Sequence, residues 1–316
     1  MKRIGITIGD INGIGPEIAL KAIGHGRWPA DVRFVLIGSE QGVREQAAAL
    51  KIPVSKKIEF LEVGQAKWQP GTITAGASRL AEAAIRAAVA GCLSGELAAM
   101  VTAPICKEGF HRAGIRVPGH TEYLAELTKT KNFGMMLMGG GLRVMLVTRH
   151  LPISAVPAAL TKRTIREHIE LTGEALKLFG LPAGKIGVCG LNPHAGDGGV
   201  LGTEEKTLIN PAIKAARAKG YNVSDAIPAD TIFYEALRGD YDAVVAMYHD
   251  QGLAPLKMIG FDEGINVTLG LPIIRTSPDH GTAFGIAGKN QASAKSMRNA
   301  IALALEMASN PNPWKK

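Results

Sequence analysis

Short apolar runs and amphipathic stretches alternate along most of this chain. Residues 3–9 (RIGITIG) read as a strand, and 15–23 (GPEIALKAI) as a helix with Pro16 in its first turn. Residues 32–38 (VRFVLIG) predict a second strand, followed by a helix from about Glu40. A long helix over 77–93 leads into an apolar strand at 97–104, and 133–139 with 142–148 form a strand pair flanking Gly139–Gly141. Apolar positions at helical spacing predict an amphipathic helix over 164–180. Residues 185–199 (KIGVCGLNPHAGDGG) run from a strand into a polar loop, and 203–220 form a helix closed by Gly220. Strands at 241–247 and 264–270 and a helix over 290–309 complete the pattern.

Such alternation argues for α/β architecture, a mostly parallel sheet system with helices on its faces. The 316 residues, 46% of them hydrophobic, suit two domains or one large one. Neither an internal repeat nor a low-complexity linker marks a boundary. The three cysteines, Cys92, Cys106 and Cys189, are widely spaced, which argues against a disulfide framework and a cysteine zinc site. The beginning MKRIGITIGD turns polar too soon for a signal peptide, and no apolar stretch approaches ~20 residues. A cytoplasmic protein without membrane contact is expected. The net charge of +8 raises nucleic acid as a partner, but the basic residues are scattered and not interleaved with aromatics. Steering of a small anionic substrate is the favoured reading, against a merely solvated basic surface.

Three of the eight histidines follow strand-like segments: His150 in VMLVTRHLP, His194 in GVCGLNPHAGDGG and His249 in VVAMYHDQG. Ligands of open α/β sheets bind outside the carboxyl ends of the strands, so the three imidazoles can converge. Such a set suits zinc, cobalt, nickel or iron with positions left open for substrate. Taken singly, each histidine reads more readily as a hydrogen-bonded loop residue; the shared context of three favours the metal reading. His25, His111 and His168 read as surface residues. A second group suits an anion. VPGHTEYL puts His120 and Thr121 at a helix start, where free N–H groups favour phosphate or carboxylate, although Thr121 could simply cap the helix. Lys257, Asn266 and Arg275 follow, Arg275 again just past an apolar run. The loop GDINGIGPE lacks the third glycine of a dinucleotide fingerprint, and no GxxxxGK[ST] occurs. The small-residue loop 279–289 (DHGTAFGIAGK) allows close backbone approach to a cofactor.

Taken in order, GDINGIGPE, TAPICKEGF, PGHTEYL, RHLPI, LNPHAGDGG…GTEE, PADTIF, MYHDQGLAPLK and GLPIIRTSPDHGTA resemble the 4-hydroxythreonine-4-phosphate dehydrogenase family over nearly the whole chain. That family is similar to the isocitrate and isopropylmalate dehydrogenases. The resemblance implies two α/β/α domains with a cleft between them, expected here at 1–118 plus 282–316 and at 119–281. It implies His150, His194 and His249 as ligands of one divalent ion (zinc, cobalt or magnesium). It further implies His120, Thr121, Lys257, Asn266 and Arg275 as substrate contacts, and NAD or NADP held in part by His280, Gly281, Thr282 and Ala283. Asp230 in PADTIF is a candidate base or orienting group, or else a helix cap. The implied assembly is a homodimer with shared sites, His150 coming from one subunit and His194 with His249 from the other. Three positions depart from the family's habit. Ile11-Asn12 stand where Pro-Ala is common, Gly285 where an acidic residue is frequent, and Pro278 precedes the Asp-His pair.

The implied activity is oxidation and decarboxylation of 4-phosphooxy-L-threonine to 3-amino-2-oxopropyl phosphate in pyridoxal phosphate synthesis. A same-family dehydrogenase of D-threonate or D-erythronate 4-phosphate is the nearest alternative, since phosphate and carboxylate are common to both substrates. A more distant branch acts on unphosphorylated aromatic cis-diols, and the retained GHTE and Lys257 weigh against it. From other classes, the histidines could serve a metal hydrolase that needs no nucleotide, or the anion group a non-catalytic phosphometabolite-binding protein.

Overall fold

The computed structural model describes residues 1–117 and 119–315. Pro118, at the expected domain boundary and within PGHTEYL, lies outside the described residues. The chain divides into two compact units, Met1–Lys131 with Leu271–Lys316, and Asn132–Gly270.

In the first unit the elements are β1 (Lys2–Thr7), α1 (Gly15–His25), β2 (Val32–Gly38), α2 (Glu40–Ala49), β3 (Ile58–Glu62), α3 (Ala75–Ser94), β4 (Ala99–Thr102), α4 (Lys107–Arg112) and α5 (His120–Leu127). The second unit holds β5 (Gly134–Gly139), β6 (Leu142–Leu146), α6 (Val156–Ala159), α7 (Lys162–Leu178), β7 (Ile186–Cys189), α8 (Asn210–Arg217), β8 (Val223–Ile227), α9 (Ala229–Leu237), β9 (Ala243–Ala246), α10 (His249–Gly260) and β10 (Ile265–Leu269). The chain then returns to the first unit with β11 (Arg275–Pro278) and α11 (Lys295–Met307).

The first unit's strands run β3-β2-β1-β4-β11, all parallel. Those of the second run β10-β5-β6-β9-β7-β8, where β10, β5 and β6 pair antiparallel and the rest parallel. The α/β reading therefore holds, with an antiparallel hairpin where the 133–148 strand pair was expected. β1, β4, β7 and β9 are apolar on both faces because helices cover both. In the second unit Leu137, Val144, Leu146, Val244 and Ala246 of the sheet pack with Ile232, Phe233, Leu253 and Leu256 of α9 and α10. That packing fixes where the strand ends deliver their loops.

Local signals account for most element ends. Thr74 caps α3 by accepting from the Ala77 N–H at 3.2 Å, and Gly95 closes it at φ 83°. Thr161 and Thr164 form a reciprocal capping box on α7. Two helices depart from expectation. The 203–220 helix opens as a π-helical turn over Glu205–Ile209 before α8, next to Pro211, which has no N–H to give. The last helix starts at Lys295 because the preceding loop is tied elsewhere. Its Ala292 N–H donates to Glu17 at 2.9 Å, and Lys21 donates to the Asn290 and Ala292 carbonyls.

The division between units also lies elsewhere than expected, at 131/132 and 270/271. α5 stays with the first unit because Tyr123 donates to Glu82 of α3. β11 stays there because it pairs with β4. Among the described residues no helix is long and apolar enough to cross a membrane.

Candidate active site

In the second unit β6 and β9 run parallel, Leu146 opposite Ala246. The pairing continues past both strands: Val147 N–H donates to the Ala246 carbonyl (2.9 Å), and Thr148 N–H and Oγ1 donate to the Met247 carbonyl (3.1 and 2.8 Å). Both strands then turn at the same level, so His150 and His249 emerge side by side with ring centroids 5.5 Å apart. His249 opens α10, and its Nδ1 lies 2.6 Å from Asp250 Oδ1. A carboxylate only accepts, so Nδ1 carries a proton, and the neutral ring then presents its lone pair at Nε2. This is the arrangement by which outer carboxylates fix metal-binding imidazoles.

His194 sits in the loop after β7, and the backbone there is unusual. From His194 to Gly199 every residue has positive φ: 51°, 51°, 81°, 42°, 63° and 99°. Three of the six, His194, Ala195 and Asp197, are not glycine, and each costs roughly 1–2 kcal/mol in this region. Such strain persists only where the surroundings over-determine it. Here Glu205, buried on the π-helical turn, accepts from the Leu191 and Asn192 N–H groups at 2.8 Å each and from Asn192 Nδ2 at 3.0 Å. Glu204 accepts from the same amide at 2.7 Å, and that hydrogen bond holds its carboxyl below the ordinary value. A Cβ on Gly196 would lie 2.5 Å from Glu205 Oε2, so the loop closes tightly on the carboxylate.

Gln251 links the two histidine-bearing regions. It is buried, accepts from the Met247 N–H at 2.7 Å, and donates to the Gly190 carbonyl at 2.7 Å. Sequence reasoning had no role for Gln251, Glu204 or Glu205. Their signal was present in MYHDQG and GTEE as polar residues beside apolar runs. Of the three expected metal ligands, one chain pairs His150 with His249. Among the described residues no three His, Cys, Asp or Glu side chains converge. Adjacent strands hold His150 beside His249 within one chain, while the expected shared site takes these two from different subunits. The donor chemistry of the pair, with Asp250 behind His249, fits a divalent ion of the zinc or cobalt kind.

His120, Thr121 and Arg275 fall in the first unit. Gly119 is the N-cap of α5 and His120 its first residue, so Thr121 lies inside the helix and not at its cap. The Nε2 of His120 is buried without a hydrogen-bond partner. Burial, followed by the charge of Arg275, pushes that imidazole well below its usual pKa, so it is neutral. Arg275 does not follow a strand as expected; it opens β11, opposite Met100. It is 2% exposed, and its Nε and Nη2 donate to Thr102 Oγ1 at 3.1 and 2.8 Å. Desolvation draws its pKa down to about 9, against the opposing influence of Glu122; it stays protonated at neutral pH. A Cβ on Gly119 would lie 3.9 Å from Lys107 Nζ, which adds a second cation near the α5 N-terminus. A neutral imidazole, a buried guanidinium and a helix start suit a phosphate ester.

Lys257 and Asn266 belong to the second unit. Lys257 lies in α10 with Nζ 5.9 Å from the Phe261 ring centre, and Asn266 lies in β10 opposite Leu137. Asp230 is exposed in the first turn of α9, not at its cap, which is Pro228. It lines a groove of about 550 Å³ together with Tyr248, Asp250, Gln251, Phe233, Leu237 and Met258. His25 and His111 are exposed as expected. His168 is not a plain surface residue: it is partly buried, and its Nδ1 lies 2.8 Å from the Thr164 carbonyl.

The loop carrying His280, Gly281, Thr282 and Ala283 is open on one side. The His280 ring is exposed, and a Cβ added at Gly281 or Gly285 would meet no atom within 4 Å. The Thr282 carbonyl accepts from the Ile14 N–H at 3.0 Å, and Ala283 takes φ 43°. Open backbone beside an exposed ring fits the adenosine half of a dinucleotide.

Residues 19–304 match the family model described as pyridoxal phosphate biosynthetic protein PdxA. The chain is 44% identical to the 4-hydroxythreonine-4-phosphate dehydrogenase of Geobacter metallireducens, over 97% of this chain and 95% of that one. It is 41% identical to the D-threonate 4-phosphate dehydrogenase of Cupriavidus necator, over 96% and 97%. The crystal structure of 4-hydroxythreonine-4-phosphate dehydrogenase from Klebsiella pneumoniae superposes with a TM-score of 0.88, at 40% identity, covering 98% of this chain and 100% of that one.

Proposed function

Because this chain belongs to the PdxA family of pyridoxal phosphate biosynthetic proteins, we propose that it is a metal-dependent, NAD- or NADP-linked dehydrogenase of 4-phosphooxy-L-threonine. The product is 3-amino-2-oxopropyl phosphate, formed after loss of CO2. The observation that carries this reading is the buried Arg275 beside the neutral His120, a phosphate reader set into a family of phosphate-ester dehydrogenases.

His150, His194 and His249 would hold the divalent ion, which supplies Lewis acidity toward the substrate's oxygen atoms when bound. The dinucleotide, resting in part on His280, Gly281, Thr282 and Ala283, supplies the hydride acceptor. The chain's own residues position and shuttle protons. Arg275, His120 and Thr121 take the phosphate, far from the reacting carbon, so that its binding energy orients the rest of the molecule. Lys257 and Asn266 are further substrate contacts. Asp230, exposed in the first turn of α9, accepts the proton of the hydroxyl undergoing oxidation.

The working form is a homodimer. The second unit exposes Tyr234, Leu237, Met258 and Phe261, at 64%, 47%, 82% and 73% of their surface. Tyr234, Leu237 and Met258 of these line one groove, which calls for a cover, and a second copy supplies it. The pair His150–His249 within one chain supports a site in which these two come from one subunit and His194 from the other. With phosphorylated metabolite and dinucleotide as its ligands, the enzyme acts in the cytoplasm.

A second reading is favoured by the likeness to a D-threonate 4-phosphate dehydrogenase: the substrate is then a sugar acid phosphate. The deciding experiment incubates metal-loaded protein with NAD or NADP and each phosphate ester in turn. Reduced dinucleotide with one ester selects between the readings. No reduction with any of them defeats both, and turnover without a dinucleotide installs a hydrolase instead.

A further inference from the structure

Asn12 is fully buried in the loop between β1 and α1, and its side chain is spent on a segment distant in sequence. Its Oδ1 accepts from the Gln69 N–H at 2.7 Å. Its Nδ2 donates to the Thr72 carbonyl at 2.9 Å and to Thr74 Oγ1 at 3.3 Å. Its own carbonyl accepts from the Gly71 N–H at 2.8 Å. Asn12 thus ties the segment 69–74 through its side chain and its carbonyl. That segment lies against the 282–288 loop: a Cβ on Gly71 would stand 3.0 Å from the Phe284 carbonyl oxygen, and one on Gly288 2.9 Å from Pro70. The residues after Asn12 hold the same loop from its other end, through Ile14 N–H to the Thr282 carbonyl and through Gly13, whose Cβ would stand 2.8 Å from that oxygen.

We propose that Asn12 is a positioning residue for dinucleotide binding: it fixes the 69–74 segment against the 282–288 loop and thereby sets affinity for the adenosine half of NAD or NADP without touching the reacting atoms. The proposal rests on the reading of the 280–283 loop as part of the dinucleotide site. Physically, a loop built of Gly281, Gly285 and Gly288 with Ala283 at positive φ has much freedom to lose on binding. Holding it in advance moves that loss from the binding step to folding. An amide suits the task because one group both accepts and donates, so it satisfies backbone of either polarity.

The test compares the parent with Asn12→Ala in the full-length enzyme. Binding of NAD, measured by calorimetry without substrate, should weaken about ten-fold, the scale of one or two hydrogen bonds lost. KM for the dinucleotide should rise with it, while KM for the phosphorylated substrate and kcat at saturating dinucleotide stay within about two-fold. Hydrogen exchange at the Gln69 and Gly71 amides should quicken. If exchange quickens and NAD affinity does not change, the proposal fails; it fails equally if both KM values rise and kcat falls together with thermal stability. Asn12→Asp keeps the acceptor for Gln69 and loses both donors, and shows the same split should the alanine variant not fold. Gly285→Val separates the two claims, because it crowds the open side of the loop and leaves Asn12 alone. If it weakens NAD binding and Asn12→Ala does not, only the role of Asn12 falls. If neither does, the loop is not part of the dinucleotide site and both claims fall.

Discussion

The rings of His150 and His249 stand 5.5 Å apart because β6 and β9 are parallel neighbours whose hydrogen bonding continues two residues beyond the strands. The pair is therefore a property of one chain's sheet and needs no partner to form. In the site proposed above, a second copy brings His194 to this pair.

That geometry makes a prediction about mixed dimers. His249→Ala and His194→Ala should each be inactive alone. Refolded together, a mixed dimer collects both lesions at one site and neither at the other. Random equal mixing makes half the dimers mixed, so about a quarter of all sites should regain activity. His150→Ala mixed with His249→Ala should regain none, since each site receives both residues from the same chain. Recovery in the second mixture and not in the first would return His150 and His249 to different subunits.

Gln251 should matter to metal binding although it is no ligand. Gln251→Leu keeps the volume and strands the Met247 N–H and the Gly190 carbonyl. Each unsatisfied buried group costs about 1–3 kcal/mol, which the melting temperature will register. Affinity for zinc, followed by competition with a chromophoric chelator, should fall 10- to 100-fold, roughly the range for outer partners of metal ligands. An unchanged affinity would mean that the loops after β7 and β9 keep their places without it.

Much of the fold was legible because apolar periodicity reports burial directly. β1, β2 and β9, α1, α3 and α7, and the β5–β6 pair all fall where the pattern puts them. The three strand-end histidines were legible for the same reason. What was not legible depends on contacts made across the fold. The start of α11 is set by Glu17, on another helix. Arg275 follows the apolar residues LPII and so reads as a strand-end residue. It instead opens a short polar strand whose place is fixed by β4 and α11. The left-handed run from His194 to Gly199 has glycine at only three positions, and it closes on the buried Glu205 carboxylate of the π-helical turn. Likewise Asn12 looks like any loop amide until the 69–74 segment is seen to hang on it.

Arg275 should read the phosphate. Arg275→Lys retains a charge and loses the fork that holds Thr102 at two nitrogens. KM for the phosphorylated substrate should rise and that for its dephosphorylated analogue should not, so discrimination between the two narrows. Losing the cation altogether should cost on the order of 2–5 kcal/mol of substrate binding, part of it the charge left unpaired. A lysine variant that discriminates as well as the parent would remove Arg275 from the phosphate site.

Asp10 gives a prediction that involves stability alone. It is fully buried after β1, and Oδ1 accepts from the Asn12 N–H at 3.0 Å while Oδ2 has no partner. Burial raises its pKa from the ordinary 3.8 to about 6, against the lowering influence of that one hydrogen bond. The folded state therefore holds the proton more tightly than the unfolded chain does. Below pH 3.8 both states are protonated and the group costs nothing. As pH rises from there towards 6 the unfolded chain releases its proton first, and folding loses stability up to about 3 kcal/mol. Asn is a close copy of the protonated acid: its oxygen still accepts from Asn12 and its NH2 replaces the O–H. Asp10→Asn should thus melt with the parent near pH 4 and above it at pH 7 and beyond, the gap opening between those values. The measurement is the difference in melting temperature between the two proteins across that range. A gap that is flat with pH, or one that closes as pH rises, would mean that the Asp10 carboxyl is ionised in the folded protein throughout.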